Sequence, residues 1–175
     1  MLMAVEELKQ YITTDKPDTV LEAMLQAVEL AIRGYTNNTF QNTGYRTDAD
    51  ARGSLFIAEA LQPFDVGDTI QVSQSQFNNG LYVVTEATDA TFKVAESLHD
   101  ENDVLVTKVS YPADVKLGAA RLIQWDLENG DKVGVQSETI SRHSVTYFNL
   151  DGDNSIMGYP KSLTGFLKPY RKARC

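Results

Sequence analysis

The segments Val66-Gly67-Asp68-Thr69-Ile70-Gln71-Val72 and Asn78-Asn79-Gly80-Leu81-Tyr82-Val83-Val84 decide the fold of the middle of this chain. Ile70 with Val72, and Tyr82 with Val84, recur every second residue, the period that sends neighbouring side chains to opposite faces of a strand. Gly67-Asp68 and Asn79-Gly80 supply the turn chemistry of tight hairpins. The same alternation on either side predicts strands over 54–59, 69–74, 81–86, 91–96 and 104–109, with Thr88-Asp89 as a further turn. Five short strands joined by tight turns predict a small barrel-like β module.

Working outward, the period becomes helical in both directions. Val5, Leu8 and Ile12 have helical spacing; after the break at Lys16-Pro17 a longer helix is predicted from Asp18, with Thr19 and Glu22 at capping-box spacing. Leu21, Met24, Leu25, Val28, Ile32 and Tyr35 form its apolar stripe, and Gly34 with Asn37-Asn38 ends it. Beyond the β module, Pro112 opens a third helix running to about Leu127. That helix is apolar over most of its circumference, so either neighbouring subunits or the β module must bury it. Residues 133–149 return to alternation, a Gly-Asp-rich loop follows, and Leu163, Phe166 and Leu167 mark a short helix stopped by Pro169. The expected fold is therefore α+β: three main helices plus a short C-terminal helix, with an inserted five-stranded β-barrel-like module. The domain boundaries expected are 1–50 for the first helical segment, 54–109 for the module and 111–175 for the second segment.

The 175 residues carry a formal charge of −8, but Lys161, Lys168, Arg171, Lys172 and Arg174 crowd the last fifteen residues without an acid among them. Setting those five aside leaves about −13 on the rest, which would repel a phosphate backbone. The basic tail either seeks an acidic protein surface or keeps the terminus solvated. The first 25 residues fit neither a secretory signal nor a membrane span, so a cytoplasmic protein is expected. Cys175 is the single cysteine, leaving no internal disulfide and no thiolate cluster.

Catalytic and cofactor motifs are missing. No glycine-rich phosphate cradle and no Gly-x-Ser-x-Gly elbow occurs, and neither His99 nor His143 has a second ligand at metal-binding spacing. Asp151-Gly152-Asp153-Asn154-Ser155 starts like a calcium loop, but Ile156 replaces the turn glycine and Ser162 the bidentate glutamate, so it reads as a polar turn. The expectation is a protein that is not an enzyme, with no catalytic, cofactor-binding or metal residues.

Three stretches carry a family resemblance. Val5-Glu-Glu-Leu-Lys-Gln-Tyr-Ile12 with Asp18 to Ile32, Tyr35-Thr36 and Phe40 resembles the opening of head-tail connector proteins of tailed bacteriophages. Pro112 to Leu127 and Val135 to Tyr147 are similar to that family's next helix and the extended segment after it, and Gly158-Tyr-Pro-Lys-Ser-Leu163 to Arg174 looks like its closing stretch. The resemblance covers about two thirds of the chain and omits the β module. It implies a ring, commonly of twelve copies, that docks on the portal after DNA packaging and presents a surface to the next neck or tail component. DNA would pass through the channel without specific binding, the protein would reside in the virion neck after assembly in the host cytoplasm, and no membrane would be involved. The portal and subunit interface expected comprises Tyr159, Leu163, Phe166, Leu167, Lys168, Tyr170, Arg171 and Arg174; the ring interface comprises Leu117, Leu122, Trp125 and Leu127. The alternative is a small ligand- or carbohydrate-binding protein that uses the β module.

Overall fold

The computed structural model of the chain describes residues 1–59, 61–130, 137–140, 143–146 and 154–173. They form two compact units: Met1–Ala4 with Thr39–Tyr111, and Val5–Asn38 with Pro112–Cys175.

The first unit is a closed antiparallel barrel of six strands: β1 (Gln41–Arg52), β2 (Leu55–Ala58), β3 (Thr69–Ser73), β4 (Gly80–Ala87), β5 (Thr91–Val94) and β6 (Glu101–Val109). Their order around the barrel is β1-β2-β5-β4-β3-β6, and β6 returns to pair with β1, so no strand edge is left open. This corrects the expected fold: the main sheet is a six-stranded barrel, not a five-stranded module, and the described residues form four α-helices. The missing strand, β1, is the longest. Its sequence, Gln-Asn-Thr-Gly-Tyr-Arg-Thr-Asp-Ala-Asp-Ala-Arg, offers no large apolar alternation, because only Ala49 and Ala51 are buried. The expected helical segment 1–50 therefore ends at Asn38, and the barrel begins well before residue 54.

Small inward residues on β1 leave room for large ones opposite. Phe56 and Phe92 face each other across the β2–β5 ladder and stack with centroids 4.9 Å apart, while Phe64 meets Phe92 edge-on at 5.0 Å. Ile70, Val72, Val84, Val94, Val104 and Val106 fill the rest of the interior. Gln62 fixes the β2–β3 loop so that Phe64 enters this core: its Nε2 donates to the carbonyls of Phe64 and Thr88, and its Oε1 accepts from the Phe64 N–H.

The second unit contains α1 (Val5–Tyr11), α2 (Asp18–Thr36), α3 (Ala113–Asn129), α4 (Lys161–Thr164) and a 3-10 turn over Gly165–Tyr170. Pro17 occupies the N-cap of α2 with no side-chain cap, so the Thr19–Glu22 capping box does not form; Asn37, in the left-handed region at φ 49°, ends the helix where expected. Leu8, Leu21, Leu25, Ile32, Leu122, Ile123 and Leu167 are wholly enclosed. Lys116 bridges α3 to Glu7 of α1 at 3.1 Å. Among the described residues two short hairpins also form: β7 (Ser137–Ile140) with β8 (His143–Thr146), and β9 (Ser155–Ile156) with β10 (Tyr159–Pro160). Met157 and Gly158, both at positive φ, make the two-residue turn of the second hairpin. Residues 151–153 of the calcium-like stretch lie outside the described residues.

Candidate interaction surface

The C-terminal segment expected to dock on a portal is built into the helical unit. Tyr159 is buried; its hydroxyl donates to Asp126 of α3 at 2.5 Å, and its ring meets Trp125 edge-on at 5.7 Å. Leu167 is fully buried, and the tip of the Phe166 ring points at Gly118 of α3, where an added side chain would obstruct it. Tyr170 donates to both carboxylate oxygens of Asp114, at 2.8 and 2.9 Å. The last described residues are tied to the end of α2: the Lys172 N–H donates to the Thr36 carbonyl at 2.8 Å, and Asn37 Nδ2 to the Ala173 carbonyl at 2.8 Å. Arg171 lies over the Tyr35 ring at 5.0 Å.

These contacts divide the expected interface by role. Tyr159 and Leu167 hold the segment down, with Leu163, Phe166 and Tyr170 half-buried beside them, whereas Lys168, Arg171 and Lys172 are exposed and give the segment a basic outer face. Arg174 lies outside the described residues.

Two of the anchoring bonds shift the groups that make them. Burial, and then the hydrogen bond to Asp126, push the Tyr159 phenol well above its ordinary range. Burial also raises the Asp126 carboxyl, partly offset by the Tyr159 bond. The Tyr170 phenol is raised chiefly by its bond to Asp114.

The expected ring contact on α3 is only partly presented. Leu122 is enclosed in its own unit and faces no neighbour, Trp125 and Leu127 are half-buried, and Leu117 is 37% exposed. Burial of α3 is supplied largely within its unit, by residues 159–170 among others.

A second presented surface lies on the barrel. In the β3–β4 loop Phe77 is 62% exposed and sits 5.2 Å from the His99 ring. The loop beneath it is fixed by Glu101, whose carboxylate accepts from Ser75 Oγ at 2.6 Å, the Gln76 N–H at 2.5 Å and Asn78 Nδ2 at 3.1 Å. Those bonds, Ser75's foremost, hold the Glu101 carboxyl below its ordinary range. His99 thus has an aromatic neighbour, and its backbone N–H donates to Asn78 Oδ1. Among the described residues no group of three His, Cys, Asp or Glu side chains is placed to hold a metal, and no helix is long and apolar enough to cross a membrane. Searched against known proteins, the chain matches no family model and no curated protein.

Proposed function

We propose that this chain is a head-tail connector of a tailed bacteriophage: a structural subunit that forms a ring, twelvefold as the resemblance implies, docks on the portal once DNA is packaged, and offers the attachment surface for the next neck or tail component. The observation that carries the reading is the company its resembling segments keep. Residues 5–36, Pro112–Leu127 and the closing stretch from Gly158 are far apart in sequence, yet belong to one helical unit, from which the barrel is excluded; Phe40, the last residue of the resembling opening, falls in the barrel unit. An inserted module leaves such a unit and its role in place.

In this reading the portal meets the basic outer face of the C-terminal segment, Lys168, Arg171 and Lys172, with Tyr159, Phe166, Leu167 and Tyr170 holding that face in position. Leu117 remains in the proposed ring contact, and Leu122 drops out of it. The role is structural, with no reaction catalysed and DNA passing the acidic ring without specific binding.

Charge reversal tests the docking face. Lys168→Glu with Lys172→Glu alters exposed side chains, so the folded protein should keep its thermal midpoint, while co-sedimentation with portal-containing, DNA-filled heads should be lost and should weaken with salt in the unaltered protein. Undiminished, salt-independent co-sedimentation of the reversed variant would sink this assignment.

A further inference from the structure

Helix α2 has two apolar faces, and among the described residues only one is buried. Leu21, Leu25, Val28, Ile32 and Thr36 are buried. On a separate face Val20, Ala23, Ala27, Leu30 and Gly34 recur in alternating steps of three and four, the seam of a helix pair, and every one is exposed. Val20 is 40% and Leu30 58% exposed, with Met24 and Ala31 half-buried along one border of the seam.

We propose that this face pairs with the same face of a second copy, antiparallel, across a two-fold axis at Ala27. That register is complementary in shape. Val20 falls opposite Gly34, where an added Cβ would meet nothing within 4 Å and the hollow is open to receive it. Leu30 falls opposite Met24, Ala23 opposite Ala31, and Ala27 opposite its own copy, so the small residues that let two helix backbones approach lie at the centre. It is also complementary in charge. The polar border carries Glu22 in the N-terminal half and Arg33 in the C-terminal half; antiparallel pairing sets Glu22 beside Arg33 of the other copy twice, where parallel pairing would set each against its like. The helix dipoles then run opposed as well. A surface that matches itself in both respects is the isologous kind. One helix face is smaller than the roughly 800 Å2 per partner of a standard interface, so the pair should dissociate on dilution. The pairing is independent of the connector reading, since a ring is closed by head-to-tail contacts and this face meets itself.

The test is sedimentation velocity of the full chain over a concentration series, with oxidative cross-linking as a second measure. The expected result is a reversible monomer–dimer equilibrium that Ala27→Glu weakens by about tenfold or more, because two carboxylates are then buried against each other. This variant should keep its thermal midpoint, glutamate being a good helix former at an exposed site. In a Cys175→Ser background, Ala27→Cys should give a disulfide-linked dimer. Glu22→Cys should not, since the two copies of residue 22 would lie about 15 Å apart along the helices. A chain that is monomeric throughout, a dimer indifferent to Ala27→Glu, or cross-linking at residue 22 and not at 27 would overturn the proposal.

Discussion

A methyl group added at residue 118 would stand 2.3 Å from the nearest atom of the Phe166 ring, so the two cannot keep their places together. Gly118→Ala is therefore expected to destabilise the helical unit by about 1–3 kcal/mol, read as a lowered thermal midpoint. In a Phe166→Ala background the same substitution should cost much less, because the obstruction is gone; equal costs in both backgrounds would mean the ring does not rest on α3. Glu101 gives a second residue-scale expectation. Its folded carboxyl lies below the unfolded value, so its contribution to stability is present above the ordinary glutamate range and is lost as pH falls through the folded value. Glu101→Gln should remove that acid-side dependence and speed hydrogen exchange at the Gln76 amide, which donates to the carboxylate. Unchanged exchange would show that the loop holds its shape without the carboxylate.

At the scale of elements, the C-terminal segment behaves as a strap with tyrosine fasteners. Tyr159 and Tyr170 are both raised above the ordinary phenol value of 10.0, so their stabilisation is complete below that pH and is lost as pH rises above it, towards and through their folded values. Alkaline titration should release the strap, and the fluorescence of Trp125, the single tryptophan, should report it through the Tyr159 contact. Tyr159→Phe should weaken the strap at neutral pH and blunt the alkaline step; an identical alkaline profile in that variant would assign the change elsewhere. The strap was partly legible in sequence: Leu163, Phe166 and Leu167 announced a short apolar helix, but nothing local told that Gly118 was the seat for Phe166. Strand β1 was not legible for a related reason. Its inward residues are alanines, set beside the bulk of Phe56, the ladder partner of Ala51, and of Phe92 on the strand after that, and a strand defined by what packs beside it carries no hydrophobic period of its own. The exposed seam of α2 could have been found, since Val20, Ala23, Ala27 and Leu30 keep heptad spacing, but the stronger Leu21–Ile32 stripe on the same helix masked it.

For the whole molecule, the two units make the barrel separable. Besides Met1–Ala4, which belong to the same unit, the chain enters it at Thr39 and leaves at Tyr111, and these two ends lie together: Ser110 N–H donates to the Phe40 carbonyl at 2.9 Å, and the Phe40 and Tyr111 rings are 4.9 Å apart. Replacing residues 41–109 by a short Gly/Ser linker is therefore expected to leave a folded helical unit with its own cooperative transition, whereas cutting at residue 54 would strand β1 and expose its ladder. The connector reading then requires that the barrel-less chain still reach the neck. The most direct test mixes the full chain with DNA-filled heads that carry a portal but no neck proteins, then sediments and images them. The account predicts a ring of density at the portal vertex, present also with the barrel-less chain. A folded full-length chain that stays in the supernatant and leaves the portal vertex bare would contradict it.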